Sequence, residues 1–278
     1  MKRNPGLILM TILLAGVLIL AGCAKKQVSS SSDTAPATGL ITLKVGAAVT
    51  PHAEILNFIK PDLKKEGIDL QVITIDNEAQ LNPSLQDKQI DANYFQHVPY
   101  LDSVSKEKGY QFTAIAKVHI EPMGFYSRKI KAKDELKPGA KIAIPDNPSN
   151  EYRALALLQN NGLIKLKEGL SNYSATPRDI IDNPKNLVFS EVEAQQLPRI
   201  LPDVDGAVIN TNWVLEAKID PNSALFREDA NSPYANVLVV RKGDESRPEI
   251  KKLVEYLTSD KVKQFIKDKY GVAVVPAF

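Results

Sequence analysis

The fold class of this chain is indicated by the segment Ile41-Thr-Leu-Lys-Val-Gly-Ala-Ala-Val-Thr-Pro51 and the residues that follow it. Apolar and polar side chains alternate from Ile41 to Val45, which predicts a strand, and Thr50-Pro51 is typical of a helix start. After a helix that ends near Gly67, the apolar run Leu70–Ile75 predicts a second strand. Two strands joined by a helix of this length run parallel, so the sequence predicts an α/β fold.

The strand ends are where a ligand is expected, because open parallel sheets bind ligands beyond the carboxyl ends of their strands. The loops Gly46–Thr50 and Asp76–Gln80 are two such ends. A third is the segment Asp91-Ala-Asn-Tyr-Phe-Gln-His-Val-Pro-Tyr100, which holds three aromatic rings and His97 in a chain that is 6% aromatic. We interpret these rings as a ligand wall presented from a loop. The alternative is an aromatic corner of the core with His97 hydrogen-bonded inside it.

The amino terminus has the organisation of a secretory signal. Lys2 and Arg3 precede an apolar run, Gly6–Leu20, that is shorter than a membrane-spanning helix requires. The run ends in Leu20-Ala-Gly-Cys23, which resembles the bacterial lipobox, where the cysteine is acylated and becomes the first residue of the mature chain. We therefore expect a signal peptide over residues 1–22, lipidation of Cys23, and a flexible tether over residues 23–39. The protein would then be anchored at the extracytoplasmic face of the cell membrane.

Charge and cysteine content exclude several classes of protein. Removing Lys2 and Arg3 from the 35 basic residues leaves 33, the same number as the acidic residues. The mature chain therefore has no electrostatic footprint for nucleic acid. Because Cys23 is the single cysteine, we expect neither a disulfide framework nor a cysteine metal site.

Motifs that would mark a catalytic or cofactor site are absent from the sequence. It contains no G-x-S-x-G, no H-E-x-x-H, no P-loop and no dinucleotide-binding glycine pattern. The three histidines, His52, His97 and His119, lack the short spacing of helical metal pairs. We therefore expect a protein that is not an enzyme and that has no metal or cofactor.

The α/β pattern repeats further along the chain, which predicts a second lobe. Chain crossings near Tyr126–Lys133 and near Arg227–Tyr234 would form a hinge, with a cleft between the lobes. The predicted first lobe comprises residues 40–130 and 234–278, and the predicted second lobe comprises residues 131–233.

Arg153 stands in the first turn of a predicted helix that ends at Asn160 and is capped by Ser149 or Asn150. A cation in this position opposes the helix dipole. It becomes favourable if a carboxylate or phosphate binds there, because free backbone N–H groups and the guanidinium then share the anion. The alternative is a surface arginine paired with Glu151 or with a distant acid.

Six motifs in sequence order resemble those of one family, the NlpA/MetQ-type lipoproteins, which are the methionine-binding subunits of bacterial ABC importers. They are Pro51-His-Ala-Glu-Ile-Leu56, Ala92-Asn-Tyr-Phe-Gln-His97 with Pro99-Tyr100, Glu121-Pro-Met-Gly124, Asn147-Pro-Ser-Asn150 with Arg153-Ala-Leu155, Ala207-Val-Ile-Asn210 and Pro233-Tyr-Ala-Asn236. The resemblance implies a two-lobed type 2 periplasmic-binding-protein fold that closes on its ligand and delivers it to a permease and its ATPase.

The resemblance also implies roles for individual residues. It places Phe95, His97 and Tyr100 around the thioether side chain of methionine. It places Arg153 on the ligand carboxylate, and it places Asn210 and Asn236 on the amino and carboxylate groups.

One departure from the family pattern concerns the ligand. The loop after the second strand usually carries an aromatic residue in this family, whereas here Asn77 and Glu78 make it polar. Tyr152, beside Arg153, would refill the space. Asn77, Glu78 and Tyr152 are therefore further candidate ligand contacts, and the alternative ligands are another amino acid, a short peptide or a methionine derivative. A cell-envelope hydrolase and a surface adhesin are the alternatives from other functional classes.

Overall fold

The computed structural model describes residues 39–75, 77–170, 173–229 and 232–278. The predicted signal peptide, Cys23 and the tether up to residue 38 lie outside these residues, as does Asp76. The strands are β1 (Ile41–Ala47), β2 (Ile68–Thr74), β3 (Ala92–His97), β4 (Phe112–Ile120), β5 (Gly124–Tyr126), β6 (Lys141–Pro145), β7 (Lys165–Leu166), β8 (Ile180–Asp182), β9 (Val188–Val192), β10 (Gly206–Ile209), β11 (Phe226–Arg227), β12 (Ala235–Arg241) and β13 (Val275–Pro276). The α-helices are α1 (Glu54–Lys65), α2 (Leu81–Gln86), α3 (Val98–Lys108), α4 (Pro148–Asn160), α5 (Leu197–Ile200), α6 (Thr211–Glu216), α7 (Pro248–Leu257) and α8 (Asp260–Tyr270). Within the described ranges, no helix has the length and apolar character needed to span a membrane.

The first sheet contains six strands in the order β13-β4-β12-β3-β1-β2. Strand β1 pairs in parallel with both β2 and β3, which confirms the predicted parallel unit, and β12 returns antiparallel between β3 and β4. Helices α1, α7 and α8 contribute apolar side chains to the core beneath this sheet. The carboxyl-terminal residues 248–270 form two helices, because Ser259 begins α8 by accepting a hydrogen bond from the backbone of Val262.

The second sheet contains five strands in the order β11-β5-β10-β6-β9. Strand β5 pairs antiparallel with β10, although the sequence pattern assigned residues 124–126 to the first lobe. The chain therefore crosses to the second sheet before Gly124, earlier than the predicted crossing near Tyr126–Lys133. The return crossing lies between β11 and β12.

The aromatic segment is a central strand of the first sheet rather than the predicted loop. All six residues of β3 are buried, because side chains pack on both faces of the sheet: Ala92 and Tyr94 lie in one apolar cluster and Phe95 in another. Helix α3 begins directly afterwards at Val98, with Pro99 in its first turn. Proline is tolerated there because the backbone N–H it lacks has no partner within the helix. Pro99 would interrupt a helix if it lay in the interior, but in the first turn it marks the start of α3.

Candidate functional site

A cavity of about 310 Å³ lies between the ends of the two sheets. The first sheet contributes the end of β3, the start of α3, the loop after β2 and the start of β12. The second sheet contributes the start of α4 and the chain after β10. The residues that line the cavity are His52, Asn77, Glu78, Ala79, Phe95, Gln96, His97, Tyr100, Glu121, Asp146, Asn147, Asn150, Arg153, Glu193, Ala194, Gln195, Asn210, Asn212, Trp213 and Asn236.

All of the ligand-contact candidates except Tyr152 lie on this wall. The residues that the structure brings together are Asn77, Glu78, Phe95, His97, Tyr100, Arg153, Asn210 and Asn236. Tyr152 instead packs edge-on against Tyr173, with 5.8 Å between ring centroids. It does not refill the space beside Glu78, because consecutive residues of a helix point in different directions and Arg153 takes the cavity side.

Arg153 is buried, with 3% of its surface exposed, and its guanidinium is held by three hydrogen bonds. Its Nε donates to Oε1 of Glu228 at 2.8 Å, and its Nη2 donates to Oε2 of Glu228 at 2.6 Å and to the backbone oxygen of Glu121 at 2.7 Å. The Tyr234 ring lies 4.3 Å from the guanidinium carbon. Arg153 is therefore paired with a distant acid and faces the cavity as well, and none of these hydrogen bonds uses Nη1.

Asn150 connects the two sides of the cavity. Its Oδ1 lies 3.0 Å from Nε2 of His97 and accepts from Nδ2 of Asn210 at 3.1 Å. The sequence pattern assigned Ser149 or Asn150 as the helix cap, but Asn147 caps α4 by accepting from the backbone N–H of Asn150. The side chain of Asn150 is thereby free to bridge β3 and the end of β10.

His97 is neutral, and its tautomer is fixed by its neighbours. Its Nδ1 accepts from the backbone N–H of Tyr100 at 3.1 Å, so Nε2 carries the proton that it donates to Asn150. Burial, together with the charge of Arg153, lowers the pKa of His97 to about 3. His97 is thus hydrogen-bonded inside the protein, as the alternative of an aromatic corner of the core predicted. It also lines the cavity.

Glu121 forms the floor of the cavity and accepts several hydrogen bonds. The Tyr94 hydroxyl bonds Nδ1 of His119, and Nε2 of His119 donates to Oε1 of Glu121 at 2.7 Å. Asn236 Nδ2 donates to the same oxygen at 3.3 Å. Donors thus converge on this carboxylate, although burial by itself raises the pKa of Glu121.

The fold brings together His52, His119 and Glu121, which the sequence separates. Their possible metal-ligating atoms lie within 4.8 Å of one another. Both ring nitrogens of His119 take part in hydrogen bonds, and Nε2 donates to Glu121. Burial lowers the pKa of His52 to about 4 and that of His119 to about 3, so both rings are neutral at physiological pH. His119 and Glu121 are thus hydrogen-bonded to each other, whereas the ring nitrogens of His52 have no hydrogen-bond partner among the described residues.

Glu78 reaches across the cavity from the loop after β2. Its Oε1 accepts a hydrogen bond from Nδ2 of Asn212, on α6 of the other side, at 2.8 Å. Burial raises the pKa of Glu78 to about 8, with smaller contributions from the charges of Glu121 and Glu216. This carboxyl therefore stays protonated well above the pH at which a glutamate side chain ordinarily ionises.

The raised pKa of Glu78 predicts a pH-dependent stability. Between its ordinary pKa of 4.5 and about 8, the unfolded chain ionises this carboxyl while the folded protein keeps the proton, so the free energy of unfolding falls as pH rises. Glu78→Gln cannot ionise and should therefore be more stable, relative to wild type, at about pH 8 than at about pH 5. Urea unfolding of both proteins without ligand measures this, and an unchanged difference at the two pH values would contradict it.

Two residues of the site carried little signal in the sequence. Glu121 and Asn212 lie in segments whose motifs did not mark a role for them, and only the tertiary contacts reveal their position. Asn212 stands among hydrogen-bonding side chains after β10, a local signal that identifies a polar strand end without selecting this residue.

Comparison with known proteins agrees with this geometry. The family model described as NlpA lipoprotein matches residues 43–278. The methionine-binding lipoprotein MetQ of Bacillus subtilis is 38% identical over 265 residues, which cover 94% of this chain and 96% of the relative. The D-methionine-binding lipoprotein MetQ of Salmonella typhi is 39% identical over 253 residues, which cover 90% of this chain and 89% of the relative.

Solved structures give the same result. A nutrient binding protein from Burkholderia cenocepacia bound to methionine is 45% identical, with a TM-score of 0.83 over 85% of this chain and 100% of the other. The lipoprotein Tp32 of Treponema pallidum is 38% identical, with a TM-score of 0.82 over 85% of this chain and 99% of the other. The two-lobed α/β fold, the cavity between its sheets and a family match from Leu43 to the carboxyl terminus together show that this chain belongs to the NlpA lipoprotein family.

Proposed function

We propose that this chain is a lipid-anchored solute-binding protein that binds methionine, or a closely related amino acid or methionine derivative, and delivers it to an ABC importer. It is a binding protein and not an enzyme. The observation that carries the proposal is the gathering of Phe95, His97, Tyr100 and Arg153 on one cavity wall. Aromatic rings beside a buried guanidinium suit a ligand with an apolar side chain and a carboxylate.

The roles proposed for the site residues follow from their chemistry. Phe95 and Tyr100, whose ring centroids are 6.0 Å apart, would contact the thioether. Arg153 would bind the carboxylate through Nη1, which its hydrogen bonds to Glu228 and Glu121 do not use. Asn210 and Asn236 would hold the amino and carboxylate groups, since an amide both donates and accepts hydrogen bonds.

The expected energies are sufficient for tight binding. Burial of the thioether chain contributes roughly 1.5–3 kcal/mol, and each sulfur–aromatic contact adds about 0.3–1.5 kcal/mol. Submicromolar affinity requires about 8 kcal/mol or more. Charge-assisted hydrogen bonds at about 1.5–3 kcal/mol each must supply the remainder. The polar end of the ligand therefore determines whether it binds at all.

Membrane attachment and delivery belong to the same proposal. Acylation of Cys23 would anchor the chain on the extracytoplasmic face, and the tether over residues 23–39 would let the binding domain reach a permease. The domain would close around the ligand by movement of its two sheets, which are joined by the chain crossings before Gly124 and between β11 and β12. The relatives from Bacillus subtilis and Salmonella typhi are both named as lipoproteins, which supports the anchor.

A different ligand in the same fold is the second candidate function. Glu78 favours it, because a carboxyl group on the wall of the cavity is poorly suited to a wholly apolar side chain.

A thermal-shift panel tests the proposal. The full chain, purified in detergent and unfolded and refolded to remove co-purified ligand, is melted with single amino acids and with methionine-containing dipeptides. A ligand at 100 times its dissociation constant adds about 2.7 kcal/mol of stability and raises the melting midpoint. A shift with methionine or its derivatives supports the proposal. A shift with an unrelated amino acid alone would show that the site is specific for that amino acid and not for methionine. The absence of a shift with every compound would contradict a solute-binding role.

A further inference from the structure

The charges on the cavity wall are unequal. The wall carries the carboxyl groups of Glu78, Glu121, Asp146 and Glu193, and the guanidinium of Arg153 faces them. The two wall histidines add no positive charge, because burial lowers the pKa of each well below neutrality. The Arg153 charge is already matched by Glu228, which accepts two of its hydrogen bonds. The site therefore has an excess of acidic groups over basic ones.

Two of the wall carboxyls are at least partly buried, whereas Asp146 and Glu193 are exposed. Glu121 is buried and accepts hydrogen bonds from His119 and Asn236. Glu78 is half-buried, and the bond from Asn212 engages its Oε1 and not its Oε2. A zwitterionic amino acid supplies a single ammonium group, which neutralises one carboxylate. Without ligand, Glu78 keeps its proton, and a further positive charge on the ligand would stabilise its ionised form.

The surroundings of Glu78 suit such a charge. Tyr100 is close enough for the charge of Glu78 to contribute to its raised pKa, and Phe95 packs edge-on against Tyr100. Trp213 lies on the same cavity wall, next to Asn212. Aromatic faces beside a carboxylate attract organic cations, both through the ring quadrupole and through direct charge pairing.

We propose that Glu78 determines specificity by selecting an amino acid whose side chain ends in a positive charge, with a sulfonium derivative of methionine as the ligand that best fits the cavity. This inference rests on the proposed binding of methionine-type ligands and narrows their chemical class. A sulfonium keeps the thioether chain length, adds one methyl group, and carries the charge at the position where sulfur meets the rings. Glu78 then binds the ligand as a carboxylate instead of a neutral acid.

Titration calorimetry with L-methionine and S-methyl-L-methionine tests the proposal on the refolded full chain. We expect wild type to bind the sulfonium at least as tightly as methionine. In Glu78→Gln, the ratio of the sulfonium affinity to the methionine affinity should fall by about ten-fold or more, because the charge-assisted contact that is lost is one that only the sulfonium makes.

Glu168→Gln is the matched control, because it makes the same chemical change at an exposed position outside the cavity. It should leave both affinities unchanged, and melting curves establish that each variant is folded. If wild type binds methionine but prefers it to the sulfonium, or if Glu78→Gln affects both ligands equally, the proposal is wrong and the methionine function stands. If folded wild type binds neither ligand, the proposed function fails, and this inference fails with it.

Discussion

Replacing Arg153 with alanine is expected to lower the affinity for methionine by at least about 100-fold, because charge-assisted hydrogen bonds to the ligand carboxylate are lost. Arg153 is the basic side chain on the described cavity wall, and it is held in place by Glu228 and by the backbone of Glu121. Titration calorimetry measures the loss. Arg227→Ala, at an exposed position of β11, is the control and should bind normally.

The alanine variant alone does not separate binding from folding. Removing one partner of a buried ion pair costs about 3–5 kcal/mol of stability, since the remaining charge has no partner. The double variant Arg153→Met, Glu228→Gln removes both charges and keeps an acceptor for the Met123 backbone N–H, which bonds Glu228 at 3.0 Å. We expect this variant to fold and still to lose methionine binding. Near-normal affinity in the folded double variant would show that Arg153 does not bind the ligand.

Replacing Phe125 with alanine is expected to destabilise the protein by about 3–5 kcal/mol, the usual cost of removing a fully buried phenylalanine ring. Phe125 is completely buried in β5 and stacks on Phe226, with 4.8 Å between ring centroids. It also covers Gly206, where an added Cβ would lie 2.7 Å from Cε1 of the ring. The ring thus fills the space that the glycine of β10 leaves open.

A double-mutant cycle checks this pairing by urea unfolding. Gly206→Ala alone should cost about 1–3 kcal/mol through overpacking. Combined with Phe125→Ala it should cost less than the sum, because the new methyl group enters the space the ring has left. Val188→Ala, at a position of β9 that is 53% exposed, should change stability by no more than about 0.5 kcal/mol. Additive effects of the Phe125 and Gly206 substitutions would mean that these residues do not share that space.

Local patterns predicted the secondary structure where one physical constraint dominated. Alternation from Ile41 to Val45 and the following amphipathic helix predicted the parallel unit, because side-chain periodicity reflects burial on one face. The same rules failed at β3, where the clustered aromatic rings suggested a ligand wall presented from a loop. A strand whose sheet is covered on both faces buries every side chain, and local alternation then carries no information about its exposure.

The chain crossing shows a similar limit. Residues 124–126 look like the continuation of the first lobe. They nevertheless pair with β10, which follows β6 and β9 in the chain. Strand pairing between distant segments depends on which edges are available after the rest has folded. Sequence periodicity identifies a strand, but it does not identify the strand's partner.

The sequence by itself determined the α/β class, the family resemblance and eight of the twenty residues that line the cavity, because these rest on local periodicity and on motifs kept in order along the chain. The tertiary structure decided the pairing of Arg153 with Glu228, the bridging position of Asn150, the rotation of Tyr152 away from the cavity, and the contact of Glu78 with Asn212. These contacts join residues far apart in the chain. Their burial, their charge state and their partners arise only when the two sheets are brought together, and no local pattern encodes them.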